Sequence, residues 1–143
     1  YVICRSEVRE YLVNTCRPFI YSTAPPAPLA AAVACAVAIV SAMDGERARL
    51  ASMGERFREF LNGLGLDTLS SSTQIVPALT RTPQAALDLS SRLRENGVFA
   101  PAVRPPTVPE GASRVRFSLS AALSEEDFSL LCEAVAKASA PFD

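Results

Sequence analysis

Between Val98 and Ala122 a proline-rich loop carrying Arg104 runs into a segment carrying Arg114 and Arg116, and the chemistry this arrangement offers is anion binding. Residues two apart on a strand share a face, with Cα atoms roughly 6.7 Å apart. A guanidinium held there can grip a carboxylate through two parallel hydrogen bonds. The same alternation also describes a plain solvated strand face. Ser22 and Thr23 form a second candidate, since they come shortly before a helix expected to begin near Pro25-Pro26. Free backbone N–H groups and the positive end of the helix dipole suit a phosphate there, although a hydroxyl in that place also serves as an ordinary N-cap. Neither site supplies a nucleophile or a general base, so no catalytic residue is assigned. The chain has no histidine, and its single lysine is Lys137. Asp44 and Glu110 have no carboxylate partner within reach in the sequence, which leaves no paired-carboxylate mechanism to argue.

Those residues need a frame. Pro28 to Met43 is uncharged and rich in alanine, which predicts a helix buried on most sides; it is too short and too weakly apolar to span a membrane. Glu46 to Leu64 predicts a second helix with Leu50, Phe57, Leu61 and Leu64 on one stripe, closed by Gly63 and Gly65. Thr73 to Leu79 reads as a strand, confined by Pro77 to an edge or an irregular pairing. Thr82 caps and Pro83 opens a helix that Asn96-Gly97 closes, with Ala86, Leu89 and Leu93 inward. Val98 to Val103 predicts a short strand. Arg114 to Ser120 predicts a clean one, with Val115, Phe117 and Leu119 facing one way and Arg114, Arg116, Ser118 and Ser120 the other. Ser124 caps the last helix, whose inner face is Phe128, Leu131 and Val135. The expected fold is α/β, a two-layer sandwich with a small, partly antiparallel sheet.

Composition narrows the function classes. A chain of 143 residues with 14 basic and 15 acidic side chains lacks the basic footprint of a nucleic-acid or membrane-surface binder. Its 49% hydrophobic content suggests a face that belongs against another domain. Cys4, Cys16, Cys35 and Cys132 show no metal-like spacing, so buried or idle thiols in a reducing, cytoplasmic compartment are expected, with no metal. The start, YVICRSEVREYL, has no signal-peptide pattern and reads as a chain entered in mid-fold.

The runs RPFIYSTAPP (residues 17–26), SSTQIVPAL (71–79), NGVFAPAVRPPTVPEGASRVRFSLSAA (96–122) and SEEDF (124–128) carry a resemblance. In order and over nearly the whole chain, they resemble the C-terminal third of the pyridoxal-phosphate-dependent α-oxoamine synthases of fold type I, most closely the 8-amino-7-oxononanoate synthases. The resemblance implies part of a homodimeric acyltransferase that condenses L-alanine with pimeloyl-CoA or pimeloyl carrier protein in biotin synthesis. It implies that Arg116 holds the amino-acid carboxylate, that Ser22 and Thr23 reach the phosphate of pyridoxal phosphate in the neighbouring subunit, and that Arg104 contacts the pimeloyl end. It divides the chain into the end of a large cofactor-binding domain (1–24), a long connecting helical segment (25–65) and a C-terminal small domain (66–143). The family's cofactor-binding lysine, histidine and aspartate have no counterpart in this sequence, which implies that the chain alone is inactive and leaves the cofactor unbound. Leu123 stands where the family often has histidine. Two alternatives stay open: another α-oxoamine synthase, such as glycine C-acetyltransferase, 5-aminolevulinate synthase or a serine palmitoyltransferase-like enzyme, and a non-catalytic α/β binding domain.

Overall fold

The computed structural model describes residues 2–139, and the chain divides into two compact units between Ala42 and Met43. The first unit is helical: α1 (Ser6–Thr15), α2 (Arg17–Ile20) and α3 (Ala27–Ser41). None of the three has a buried residue. This corrects the expectation for Pro28 to Met43: Leu29, Val33, Val37, Ile39 and Val40 are all more than half exposed. Alanine-rich apolar sequence specifies helix, but burial needs an apposed surface, and the described residues of the first unit supply none.

The connecting segment is two helices, as the separate Pro28 to Met43 and Glu46 to Leu64 patterns predict. The Ala42 N–H bonds the Ile39 carbonyl at 3.0 Å, tightening the last turn of α3. Met43, at φ −95° and ψ 53°, then leaves helical geometry. Helix α4 (Asp44–Gly63) restarts with Asp44 and Glu46 in its first turn, where the helix dipole favours carboxylates.

The second unit is built on a three-stranded sheet in the order β1-β3-β2, from β1 (Ile75–Arg81), β2 (Ala102–Val103) and β3 (Ser113–Ser118). Both ladders are antiparallel, so the sheet is antiparallel throughout rather than in part. Pro77 sits on the edge strand opposite Arg116, as its missing N–H requires. Strand β2 is shorter than the Val98 to Val103 pattern predicts. Gly97 turns at φ 83° and the Val98 N–H is taken by the Leu93 carbonyl at 2.8 Å, which spends the first residue on closing helix α5 (Pro83–Glu95).

Helices α4, α5 and α6 (Glu125–Ser139) pack with the sheet around one core. Met53, Phe57 and Leu61 come from α4, Leu89 and Leu93 from α5, Val115 and Phe117 from β3, and Phe128 and Val135 from α6. Leu64, expected on the α4 stripe, is 40% exposed at the helix C-cap. Phe57 centres the core, with ring centroids 5.1 Å from Phe117 and 6.1 Å from Phe128, both edge-on. The Thr82 hydroxyl accepts the Ala85 N–H at 3.2 Å, as its capping position predicts.

The start of α6 is tied down electrostatically. Ser124 and Asp127 form a reciprocal box in which the Ser124 hydroxyl accepts the Asp127 N–H and Asp127 accepts the Ser124 N–H, each at 3.0 Å. Arg56 of α4 donates two hydrogen bonds to Glu125, at 3.1 and 2.8 Å, and lies 4.6 Å from the Phe128 ring centroid. The bond from Arg56 holds the Glu125 carboxyl below its ordinary range, and the Ser124 hydroxyl and N–H do the same for Asp127. Groups depressed by folding stabilise the native state above their unfolded values and lose that contribution as pH falls through the folded ones. Stability is therefore expected to drop below about pH 4. Urea midpoints compared above and below that pH check it, and the difference should shrink in a Glu125→Gln, Asp127→Asn double variant.

Candidate functional site

Alternation along β3 divides its side chains cleanly. Val115 and Phe117 enter the core, while Arg116 and Ser118 are exposed and Arg114 is half-buried on the sheet's open face. Arg114 and Arg116 line a common cleft of about 460 Å³ with the Ser70 to Thr73 loop, and Pro77, Val103 and Val108 contribute apolar surface to it. The pairing of Arg116 with Pro77 and of Arg114 with Val103 explains why these neighbours share the cleft.

Two details fix the guanidiniums' surroundings. Arg114 Nε donates to the Ala112 carbonyl at 2.9 Å, which anchors the guanidinium beside the cleft it lines. The ion pairs among the described residues are Arg9–Glu10, Arg47–Asp44 and Arg56–Glu125, so no carboxylate neutralises Arg104, Arg114 or Arg116. Two cations with no ion-pair partner among the described residues, on one cleft wall, give it the charge that suits anionic groups.

The loop facing them is held by its own hydroxyls. Ser71 donates to the Ile75 carbonyl at 2.8 Å, Thr73 Oγ1 accepts the Ile75 N–H at 3.3 Å, and Arg58 of α4 donates to the Thr73 carbonyl at 2.8 Å. Gly54 permits this approach: a Cβ there would lie 3.3 Å from the Thr73 carbonyl oxygen. Leu69 also lines the cleft, in the left-handed region at φ 54°, a conformation that costs a leucine roughly 1–2 kcal/mol. The Leu69 N–H donates to Asp67 Oδ1 at 2.7 Å, which locks that conformation. Sequence reasoning missed Leu69; the only local signal is an aspartate two residues earlier, a pattern common to many turns.

The other expected site residues fall elsewhere. Arg104 is exposed in the turn after β2, its carbonyl accepting the Thr107 N–H at 3.0 Å, and it does not line the cleft. Ser22 and Thr23 lie in the first unit, both exposed. They precede α3 by several residues, and the N-cap itself is Pro26, which has no capping side chain. The Ser22 hydroxyl donates instead to the Pro18 carbonyl. As a phosphate-binding set the pair is uneven: Thr23 has its hydroxyl available, whereas Ser22 must exchange an existing bond before it can donate to a phosphate oxygen.

Lys137 lines a separate cleft of about 530 Å³ together with Asp127 and Glu133, so it adds nothing to the arginine site. Leu123 is half-buried against the core, and its carbonyl accepts from Arg49 of α4 at 3.0 Å, so packing and this backbone contact occupy the place of a polar side chain. All four cysteines are free; Cys4 and Cys35 are exposed, Cys16 and Cys132 half-buried. Among the described residues no single helix is long and apolar enough to cross a membrane.

A family model for aminotransferase class I and II matches residues 1–135. The chain is 47% identical over 135 residues to a Magnetococcus marinus protein provisionally named as an 8-amino-7-oxononanoate synthase, covering 94% of this chain and 34% of that protein. It is 46% identical over 129 residues to an Aeromonas hydrophila 8-amino-7-oxononanoate synthase, covering 90% and 32%. Among solved structures, a serine palmitoyltransferase of Sphingomonas wittichii superposes with a TM-score of 0.83 at 24% identity, over 95% of this chain and 35% of that one. An 8-amino-7-oxononanoate synthase of Francisella tularensis does so with a TM-score of 0.76 at 24% identity, over 94% and 38%. The fold is thus shared with these enzymes, and the chain spans about a third of the length of the curated relatives it matches.

Proposed function

The chain belongs to the aminotransferase class I and II family, and from that premise we propose that it is the C-terminal part of a pyridoxal-phosphate-dependent 8-amino-7-oxononanoate synthase. Arg116 carries this reading: it is exposed on a cleft, has no carboxylate partner among the described residues, and sits on a strand whose other face is locked into the core. In the full-length enzyme it grips the carboxylate of L-alanine through two hydrogen bonds and so fixes the orientation of the bonds at the α-carbon.

When bound, pyridoxal phosphate supplies the electron sink for bond breaking at that carbon. This chain's own contribution to holding it is the hydroxyl pair, with Thr23 donating to a phosphate oxygen and Ser22 joining after releasing Pro18. No lysine lines the cleft that holds Arg116, which supports assigning covalent attachment of the cofactor to the remainder of the enzyme and regarding this chain by itself as inactive. On this reading residues 1–24 end the large domain, and the exposed apolar face of α3 is covered by that domain or by a second subunit of a cytoplasmic homodimer.

The test is direct. Full-length enzyme carrying this sequence, given L-alanine and pimeloyl-CoA or pimeloyl carrier protein, is expected to release carbon dioxide and 8-amino-7-oxononanoate in equal amounts. Turnover of glycine with acetyl, succinyl or palmitoyl thioesters in preference to that pair would move the chain to a sister activity.

A further inference from the structure

Leu69 is expensive where it stands. Its backbone is in a region that glycine occupies at far less cost, and burial does not offset this, because the side chain is 41% exposed and lies outside the core cluster. What it does is line the arginine cleft. There it joins Ile75, Pro77, Val103 and Val108 as apolar lining of a space that also holds two guanidiniums without carboxylate partners among the described residues.

A cleft so composed suits a ligand with an anionic end and an aliphatic body. Alanine, the amino-acid substrate of the reading above, supplies the carboxylate but only one methyl group, too little to cover five apolar side chains. The aliphatic body must come from the second substrate. Resting on that reading, we propose that Leu69 is a specificity-determining residue that packs against the polymethylene chain of the acyl thioester, with the Asp67 carboxylate holding the left-handed turn that presents it. The position of Asp67 supports this, because its carboxylate accepts the Leu69 N–H at 2.7 Å while its carbonyl accepts the Leu79 N–H at 2.9 Å, tying the turn to β1.

The experiment compares Leu69→Gly and Leu69→Asn with the parent sequence in the full-length enzyme, at saturating alanine, using butyryl-, hexanoyl- and octanoyl-CoA as donors. Each methylene in apolar contact changes kcat/KM by about fourfold, so losing contact with roughly two of them lowers the octanoyl-to-butyryl ratio on the order of tenfold. Both variants tolerate positive φ, glycine with added backbone freedom and asparagine with less, so a fall of the ratio in both assigns the effect to the side chain rather than to a loosened turn. The Leu69→Gly enzyme is also expected to melt no lower than the parent, since backbone strain is relieved. A ratio unchanged in an active enzyme overturns this inference alone. Absence of turnover with every thioester, pimeloyl donors included, overturns the synthase reading and this inference with it.

Discussion

Replacing Arg116 by alanine in the full-length enzyme is expected to raise the KM for L-alanine about a hundredfold, with a fall in kcat. Two charge-assisted hydrogen bonds to one carboxylate contribute on the order of 3 kcal/mol together, and a hundredfold change corresponds to about that energy. The fall in kcat follows from orientation, since a substrate held at one end only samples unproductive geometries. Arg116→Lys keeps the charge but loses the planar fork, and its KM is expected to fall between the two. The fold should be indifferent: Arg116 is exposed and lies outside the core cluster, so melting of the alanine variant is expected within about 0.5 kcal/mol of the parent. An alanine KM unchanged in that variant would remove Arg116 from the substrate site.

Phe57→Ala has the largest expected effect on folding. The ring is fully buried, edge-on to Phe117 and Phe128 and stacked 6.3 Å from Phe60, so it joins α4 to β3 and α6 at once. Its removal deletes the apolar area and leaves a cavity that three elements cannot close together, at a cost of roughly 3–5 kcal/mol. Against a total stability of about 5–15 kcal/mol this leaves little margin. Thermal unfolding is expected to move down on the order of 15 °C, and Phe57→Leu to move it much less. A shift of only a few degrees would mean that the core is not centred on this ring.

Where periodicity meets burial, the sequence was a good guide. The period-two alternation of Arg114 to Ser118 and the helical inner faces at Ala86, Leu89 and Leu93 and at Phe128 and Val135 appear in the structure as read, because each borders the core that selected it. Helices α1 and α2 bury nothing among the described residues, so the stripe that Val8, Tyr11 and Leu12 form on α1 has no core to mark it as an inner face. For α3 the composition states an intention to be covered, and the described residues of its own unit do not cover it. The cleft was half legible. Arg116 shows itself through charge and alternation, whereas Leu69 and Val108 reach the site by loop geometry that no local pattern encodes.

The two-sidedness of β3 has a consequence for how such an enzyme can change over time. Val115 and Phe117 answer to the core, while Arg114 and Arg116 line the arginine cleft, yet all four share one short strand. Because Arg116 is exposed and lies outside the core cluster, substitutions there can be sampled with little penalty in folding. On the proposed reading, selection for a new acid can therefore explore that position freely, while the opposite face keeps the protein folded throughout the search.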